Sequence, residues 1–220
     1  ETITINGIER PTRNSEGRLI HSTEKGIRNF WKWFGNSIVV DDKGRPLVVY
    51  HGTVDKITEF DALKTSHYAF FFTSSIAHAE SFTGSAGRNI MPGYLYLEDP
   101  LVVDGSKIPV TKSYSDLDAV FEQADNEDAD GIIINNHNDQ GTIANTYVVF
   151  DPNQIKSAVE NNGEFSETNN DIRFSKTELD EFGEFKTGVP VTFNYLHNKE
   201  SATELLGIPK NREERFGRFY

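Results

Sequence analysis

Apolar residues in this chain come in short runs, and that pattern limits the fold more than any other feature. Leu47-Val48-Val49-Tyr50, Phe70-Phe71-Phe72, Gly131–Ile134 and Tyr147–Phe150 are each bounded by polar, Gly- or Pro-containing breaks. Short runs rich in β-branched and aromatic residues read as buried strands. None approaches the ~20 apolar residues needed to cross a bilayer. Between the runs the period changes. Ile27, Phe30, Trp31 and Phe34 fall on one face of a helix expected from about Thr23 to Phe34, with Ser22 or Thr23 as its cap and Gly35 as its stop. Ser74 or Ser75 caps a second, short helix with Ile76, Ala79 and Phe82 facing inward. Ser115 caps a third, carrying Leu117, Val120, Phe121 and Ala124. Short strands interrupted by three helices indicate an α+β domain and not a doubly wound one.

The remaining strands are expected at Ile38–Val40 and Pro46–Tyr50, as a hairpin around Asp41–Arg45, and at Tyr94–Leu97 and Leu101–Val103. Asn135–Ala144 reads as a polar, flexible loop. Residues 1–21 are polar and turn-rich and read as an N-terminal arm on the domain. Residues 22–175 form the domain itself. Residues 176–220, charged and sparse in hydrophobics, read as a linker and a partial C-terminal element. The chain begins at Glu1 and its only methionine is Met91, so a piece or processed product of a longer polypeptide is expected.

Composition removes several chemistries. The chain has no cysteine, which excludes disulfides, thiolate metal sites and a Cys nucleophile. Its formal net charge of −12 argues against stable nucleic-acid binding, because phosphate neutralisation needs a basic face. His21, His67, His78, His137 and His197 have no metal-ligand spacing and read as surface or packing residues. No phosphate loop or nucleophile elbow is present.

Three elements remain that could carry chemistry. His51 follows an apolar strand and precedes Gly52. There it could offer a ring nitrogen to a ribose hydroxyl, adding little packing, while Gly52 lets the backbone approach a planar ligand. A His-Gly pair alone is more often a simple turn. The second element is the aromatic cluster Tyr68, Phe70, Phe71 and Phe72 before Thr73-Ser74-Ser75, with Phe82 one helix further on. Two such rings could sandwich an aromatic ligand, at ~0.5–1.5 kcal/mol per stacked pair beyond burial, or could simply pack in a core. The third is Asn145-Thr146-Tyr147-Val148-Val149-Phe150-Asp151-Pro152, a strand entered from a polar segment.

In this order the elements resemble the ADP-ribosyltransferase superfamily, in the His-Tyr-Glu branch shared by diphtheria toxin and the poly(ADP-ribose) polymerases. They are most similar to the ADP-ribosyltransferase domains of phage and mobile-element polyvalent proteins. The likeness is carried by Phe34-Gly35-Asn36-Ser37 leading into Tyr50-His51-Gly52-Thr53, by the Phe71-Phe72-Thr73 strand with its helix, by Tyr147 to Ala158, and by the tail from Asn161-Asn162-Gly163 to Asp171-Ile172-Arg173-Phe174-Ser175. It covers about residues 25–175. The resemblance implies a split β-sheet core with flanking helices. It implies NAD⁺ as co-substrate, no metal, and transfer of ADP-ribose to a macromolecular acceptor, a host protein, with release of nicotinamide. Action in the cytoplasm of a host or target cell, as an effector or toxin part of a larger phage-type protein, goes with it.

The resemblance also assigns site residues. Tyr50, His51, Gly52, Thr53, Phe71, Phe72, Ser74 and Phe82 would bind NAD⁺, and His51, Phe71 and Thr146 would be catalytic. His51 would meet the adenosine-side ribose, and the Gly52 backbone would hold the nicotinamide carboxamide. Phe71 and Phe82 would take positions that are commonly tyrosine. One departure stands out: the family glutamate before the Tyr-Val-Val-Phe strand is Thr146 here. A glutamate would hold the nicotinamide ribose 2′-OH and stabilise the oxocarbenium-like transition state. With threonine, four readings stay open: a slow enzyme, replacement by another acid such as Asp139, assistance by the substrate, or NAD⁺ binding without turnover. If the chain is active, single-unit transfer is expected.

Overall fold

Thr23 is extended, and its side chain accepts the Gly26 N–H, which starts helix α1 (Glu24–Phe34). Gly35, at φ 52°, ends it by donating its N–H to the Trp31 carbonyl. Both ends are where the sequence places them. The computed structural model describes residues 1–54, 57–83, 89–110, 114–139, 141–167 and 169–173, so the expected linker and C-terminal element at 176–220 lie outside the described residues. The N-terminal arm is a hairpin of β1 (Thr2–Ile5) and β2 (Ile8–Pro11), turned at Asn6-Gly7, where both residues have positive φ. It lies against α1, whose Trp31 Nε1 donates to the Pro11 carbonyl at 2.9 Å.

The core is a seven-stranded sheet formed by β3 (Val49–Thr53), β4 (Phe70–Thr73), β5 (Asn89–Leu95), β6 (Leu101–Asp104), β7 (Gly131–Asp139), β8 (Thr142–Val149) and β9 (Ile155–Ser157). Their order is β6-β7-β8-β4-β3-β5-β9. Only β6 and β7 run parallel. Side chains alternate across the sheet as the strand period requires. Val49, Phe70, Phe72, Leu95, Ile133 and Val149 pack on one face, under loop residues Val39, Phe60 and Ile172. On the other face, α1 covers Val48 and Tyr94. Helix α3 (Asp118–Asn126) covers Ile132, Ile134 and Val148 with Phe121 and Ala124. The fold is α+β, a mixed sheet flanked by helices.

The sheet is split at its middle. β3 and β4 share one pair, Tyr50↔Thr73, whereas β3 pairs with β5 from Val49 to Thr53 and β4 pairs with β8 from Phe70 to Thr73. Beyond Tyr50 the two halves of the sheet therefore part.

Several boundaries differ from the sequence reading. The hairpin around Asp41 forms only at its tip, where Val40 opposes Pro46 and the Asp41 carboxylate accepts the Lys43 and Arg45 N–H groups. The regular strand starts at Val49 and runs through Thr53, so His51 lies inside it. β5 starts at Asn89 and ends at Leu95. Helix α2 (Ile76–Ser81), capped by Ser75, buries His78 and Ala79, while Ile76 is 48% and Phe82 43% exposed. The apolar residues at that spacing outnumber the space, because Gly52 and β3 accept only the Ala79 side of so short a helix. α3 begins at Asp118, behind a 3-10 turn at Tyr114–Leu117. Finally, 135–139 and 142–144 are no loop. They extend the β7–β8 ladder, with His137 opposite Ala144 and Asp139 opposite Thr142. The Asn, Asp and Gly content of 135–144 mimics a loop because the ladder projects into solvent.

Candidate active site

The split holds a cavity of about 560 Å³, within the usual range for small-ligand sites. Tyr50, His51 and Gly52 line it from β3, Phe71 and Phe72 from β4, and Phe82 from the end of α2. Thr146 lines it from β8. Thr53 and Ser74 do not. Thr53 pairs with Asn89 on β5, and Ser74 is bonded in both directions to the Asn145 backbone, which prolongs the β4–β8 ladder. Phe72 is a core residue whose ring packs against Phe60 at 5.7 Å.

His51 is more enclosed than its sequence position suggests. Its Nδ1 lies 2.8 Å from the Phe71 carbonyl across the split, and its ring meets Phe60 edge-on at 5.1 Å. A carbonyl only accepts, so Nδ1 carries the proton and Nε2 keeps a lone pair. Burial pushes the His51 pKa below its ordinary 6.5, outweighing the Phe71 bond that pulls it up. The imidazole is therefore neutral at pH 7, with an acceptor nitrogen in a ligand-sized cavity.

Gly52 is required by packing as well as by any ligand. A Cβ there would sit 1.8 Å from the Ala79 carbonyl oxygen and 3.2 Å from the Phe82 Cβ. Its backbone direction follows from the ladder. Pro92, opposite Tyr50, accepts from Ala158 and so faces β9. Tyr50 therefore directs its polar backbone groups toward β4, and by the alternation of an antiparallel ladder Gly52 does the same. At Gly52 the neighbouring strand has parted, and its N–H and C=O look into the split.

Phe82 stacks on His78, with centroids 5.1 Å apart and planes at 27°. Its other side faces the cavity beside Gly52. Phe71, on the α3 side of β4, touches Phe121 at 6.1 Å. Tyr50 donates its hydroxyl to Glu16 of the arm. Burial and that carboxylate raise its pKa to about 12.

Sequence reasoning set aside two histidines that the fold brings to this cavity. His78, 4% exposed, lies 3.3 Å from the Asp139 carboxylate through Nε2, and its buried Nδ1 has no partner. His137 Nδ1 lies 2.9 Å from Thr146 Oγ1. Burial lowers the His137 pKa, with Asp139 opposing and His78 assisting the shift. The bulge between Ile134 and His137, with Asn136 at φ 54°, turns His137 toward Thr146. Asp139, weighed in the sequence as a substitute acid, lines the same cavity, as does Asp116. The alternation of His137 and Asp139 was a legible signal, hidden by the loop-like composition around it. Among the described residues no group of three His, Cys, Asp or Glu side chains is placed to hold a metal ion.

Residues 41–165, more than half of the chain, match the family described as ADP-ribosyltransferase in polyvalent proteins. The chain belongs to that family. No curated protein and no solved structure matches the chain. The match covers β3 to β9 and the whole cavity, and leaves the N-terminal hairpin and α1 outside it. Membership supports ADP-ribosyl transfer as the general activity, and NAD⁺ is the substrate that such domains use. In this chain the three motifs seen in the sequence converge from β3, β4 and β8 on the split.

Proposed function

We propose that this chain binds NAD⁺ in the split and transfers single ADP-ribose units to a macromolecular acceptor, most simply a protein, with release of nicotinamide. The observation that carries this reading is the parting of β3 and β4 at Gly52. It offers one N–H and one C=O side by side, the complement of a carboxamide, next to the exposed ring of Phe82. The nicotinamide ring would lie between Phe82 and Phe71, and the adenosine-side ribose would donate a hydroxyl to His51 Nε2. In the reaction the C1′–N bond breaks and its electron pair stays on the departing nicotinamide nitrogen, which becomes neutral. The cationic C1′ then takes a lone pair from the acceptor, whose proton passes to solvent or to a nearby base. Asp139 and Asp116, lining the cavity, favour the developing positive charge, and such preorganised charge is often the largest catalytic contribution. Thr146 in place of the family glutamate supports single-unit transfer, since loss of that glutamate accompanies it in the superfamily.

The same threonine favours a second reading, an NAD⁺-binding module that does not turn its ligand over. NAD⁺ labelled on the adenylate, incubated with the chain and a cell lysate, decides between them. Protein-bound label in single units is expected. Bound NAD⁺ with no nicotinamide released would leave the second reading, and no NAD⁺ binding by calorimetry would remove both.

A further inference from the structure

The β7 bulge places His137 where a longer side chain at position 146 would reach. Without the bulge, the Ile134↔Thr146 register would continue to pair His137 with Ile143, and strict alternation would turn His137 to the face away from Thr146. With it, the imidazole is fixed against Thr146 Oγ1 at 2.9 Å, on the cavity wall. Thr146 is 8% exposed, so its own hydroxyl has little reach beyond the histidine it holds.

We propose that His137 takes the place of the absent glutamate, accepting the nicotinamide-ribose 2′-OH on Nε2 while Thr146 holds Nδ1. This rests on the NAD⁺-dependent reading above and names the group that completes its site. In the tautomer that donates Nδ1–H to the threonine oxygen, Nε2 presents a lone pair. Burial keeps the ring neutral, so the lone pair is available at neutral pH. A hydroxyl donating to that nitrogen gains electron density on O2′ as the neighbouring C1′ becomes cationic, which is the work a carboxylate would do. The imidazole brings no negative charge. That comes through space from Asp139, two residues along β7, itself bonded to His78 at 3.3 Å. One carboxylate of the family is thus divided into an acceptor nitrogen and a separate charge.

The proposal makes a reciprocal prediction about positions 137 and 146. In the full chain, His137→Ala lowers the rate of nicotinamide release from NAD⁺ by about 10²-fold or more, the usual loss for a positioned acid–base group. Thr146→Glu alone also lowers it, because the ring occupies the space a glutamate needs. In the double variant His137→Ala with Thr146→Glu, the glutamate enters the vacated space and restores at least tenfold over His137→Ala. His137→Gln, which keeps an acceptor and most of the volume, serves if the alanine variant melts early. NAD⁺ affinity, measured in parallel by calorimetry, stays within a few-fold throughout. A wild-type rate retained by both His137→Ala and His137→Gln would overturn the proposal and leave the NAD⁺ reading standing. So would a double variant no faster than His137→Ala, or a wild-type chain that binds NAD⁺ and releases no nicotinamide. Failure of the wild-type chain to bind NAD⁺ would overturn both.

Discussion

Two residues of the cavity separate binding from packing. Phe71 is half-buried and presents its ring between α3 and the cavity. Phe71→Ala is expected to weaken NAD⁺ binding by about 1–3 kcal/mol, the usual cost of losing a ring stacked on a base. Calorimetry showing wild-type affinity would remove the ring from the binding site. His51 has a double task. It bridges the split through the Phe71 carbonyl and packs on Phe60, in addition to presenting Nε2. His51→Ala should therefore lower NAD⁺ affinity and also destabilise the fold by about 1–3 kcal/mol, because a buried bond and ring contact are lost. A melting temperature equal to wild type would show the ring to be only ligand-facing, as its position in the sequence suggested. The enclosed position of the ring has a physical reason: His51 lies within β3 at the point where the next strand departs, and not at a strand end facing solvent.

At the scale of elements, α2 is the part whose placement the site depends on. Its carbonyl end rests on Gly52, and it carries both Phe82 and His78. Gly52→Ala would drive a methyl group to within 1.8 Å of the Ala79 oxygen, so α2 must shift away from β3. Overpacking of this kind costs about 1–3 kcal/mol. The expected outcome is a lower melting temperature together with weakened NAD⁺ binding. Unchanged binding in a destabilised protein would show that α2 does not set the ligand's position. α1 and the strands at 70–73 and 147–149 were legible in the sequence, because each has a clean period and a clear cap or break. The β7–β8 extension was not. Asn135-Asn136-His137-Asn138-Asp139 has the composition of a turn, and its ladder to Thr142–Ala144, with Asn135 paired to Asp104 of β6, makes it a strand.

For the whole molecule, the tail after β9 is part of the core. Phe165 is buried against α1, Ile172 against the sheet, and the buried Lys156 donates its Nζ to the Asn169 carbonyl at 2.8 Å. A chain ending at Ser175 is expected to fold and bind NAD⁺, and one ending at Glu160 is expected not to fold. Circular dichroism of the two fragments checks this, and an unfolded 1–175 fragment would show that later residues are required. Lys156 also predicts a pH dependence. Burial pushes its pKa from 10.5 to about 8, against the pull of Asp171 and Asp151. Between those values the unfolded chain binds more protons than the folded one, so stability rises with pH there. Tyr50, Tyr94 and Tyr96 act oppositely, since their pKa values are raised from 10.0 to about 12 and their contribution is lost as pH climbs from 10 toward 12. Melting temperature should rise from about pH 8 to about pH 10 and then fall. Lys156→Met should flatten the rise; a rise of the same size in that variant would place its origin elsewhere.

By itself the sequence determined the fold class, the helix α1 with both its ends, most of the buried strands and the family. These depend on local period, on caps and on the order of short motifs, all of which are written along the chain. It also placed Tyr50, His51, Gly52, Phe71, Phe82 and Thr146, which the fold gathers around one cavity. Only the tertiary structure decided that Thr53 and Ser74 lie outside that cavity, and that His78, His137 and Asp139 lie in it. Those placements depend on where β3 and β4 part and on a one-strand bulge. The first is set by the single pairing of Tyr50 with Thr73 across intervening segments, the second by a register shift inside the β7–β8 hairpin, and neither is recorded in local composition.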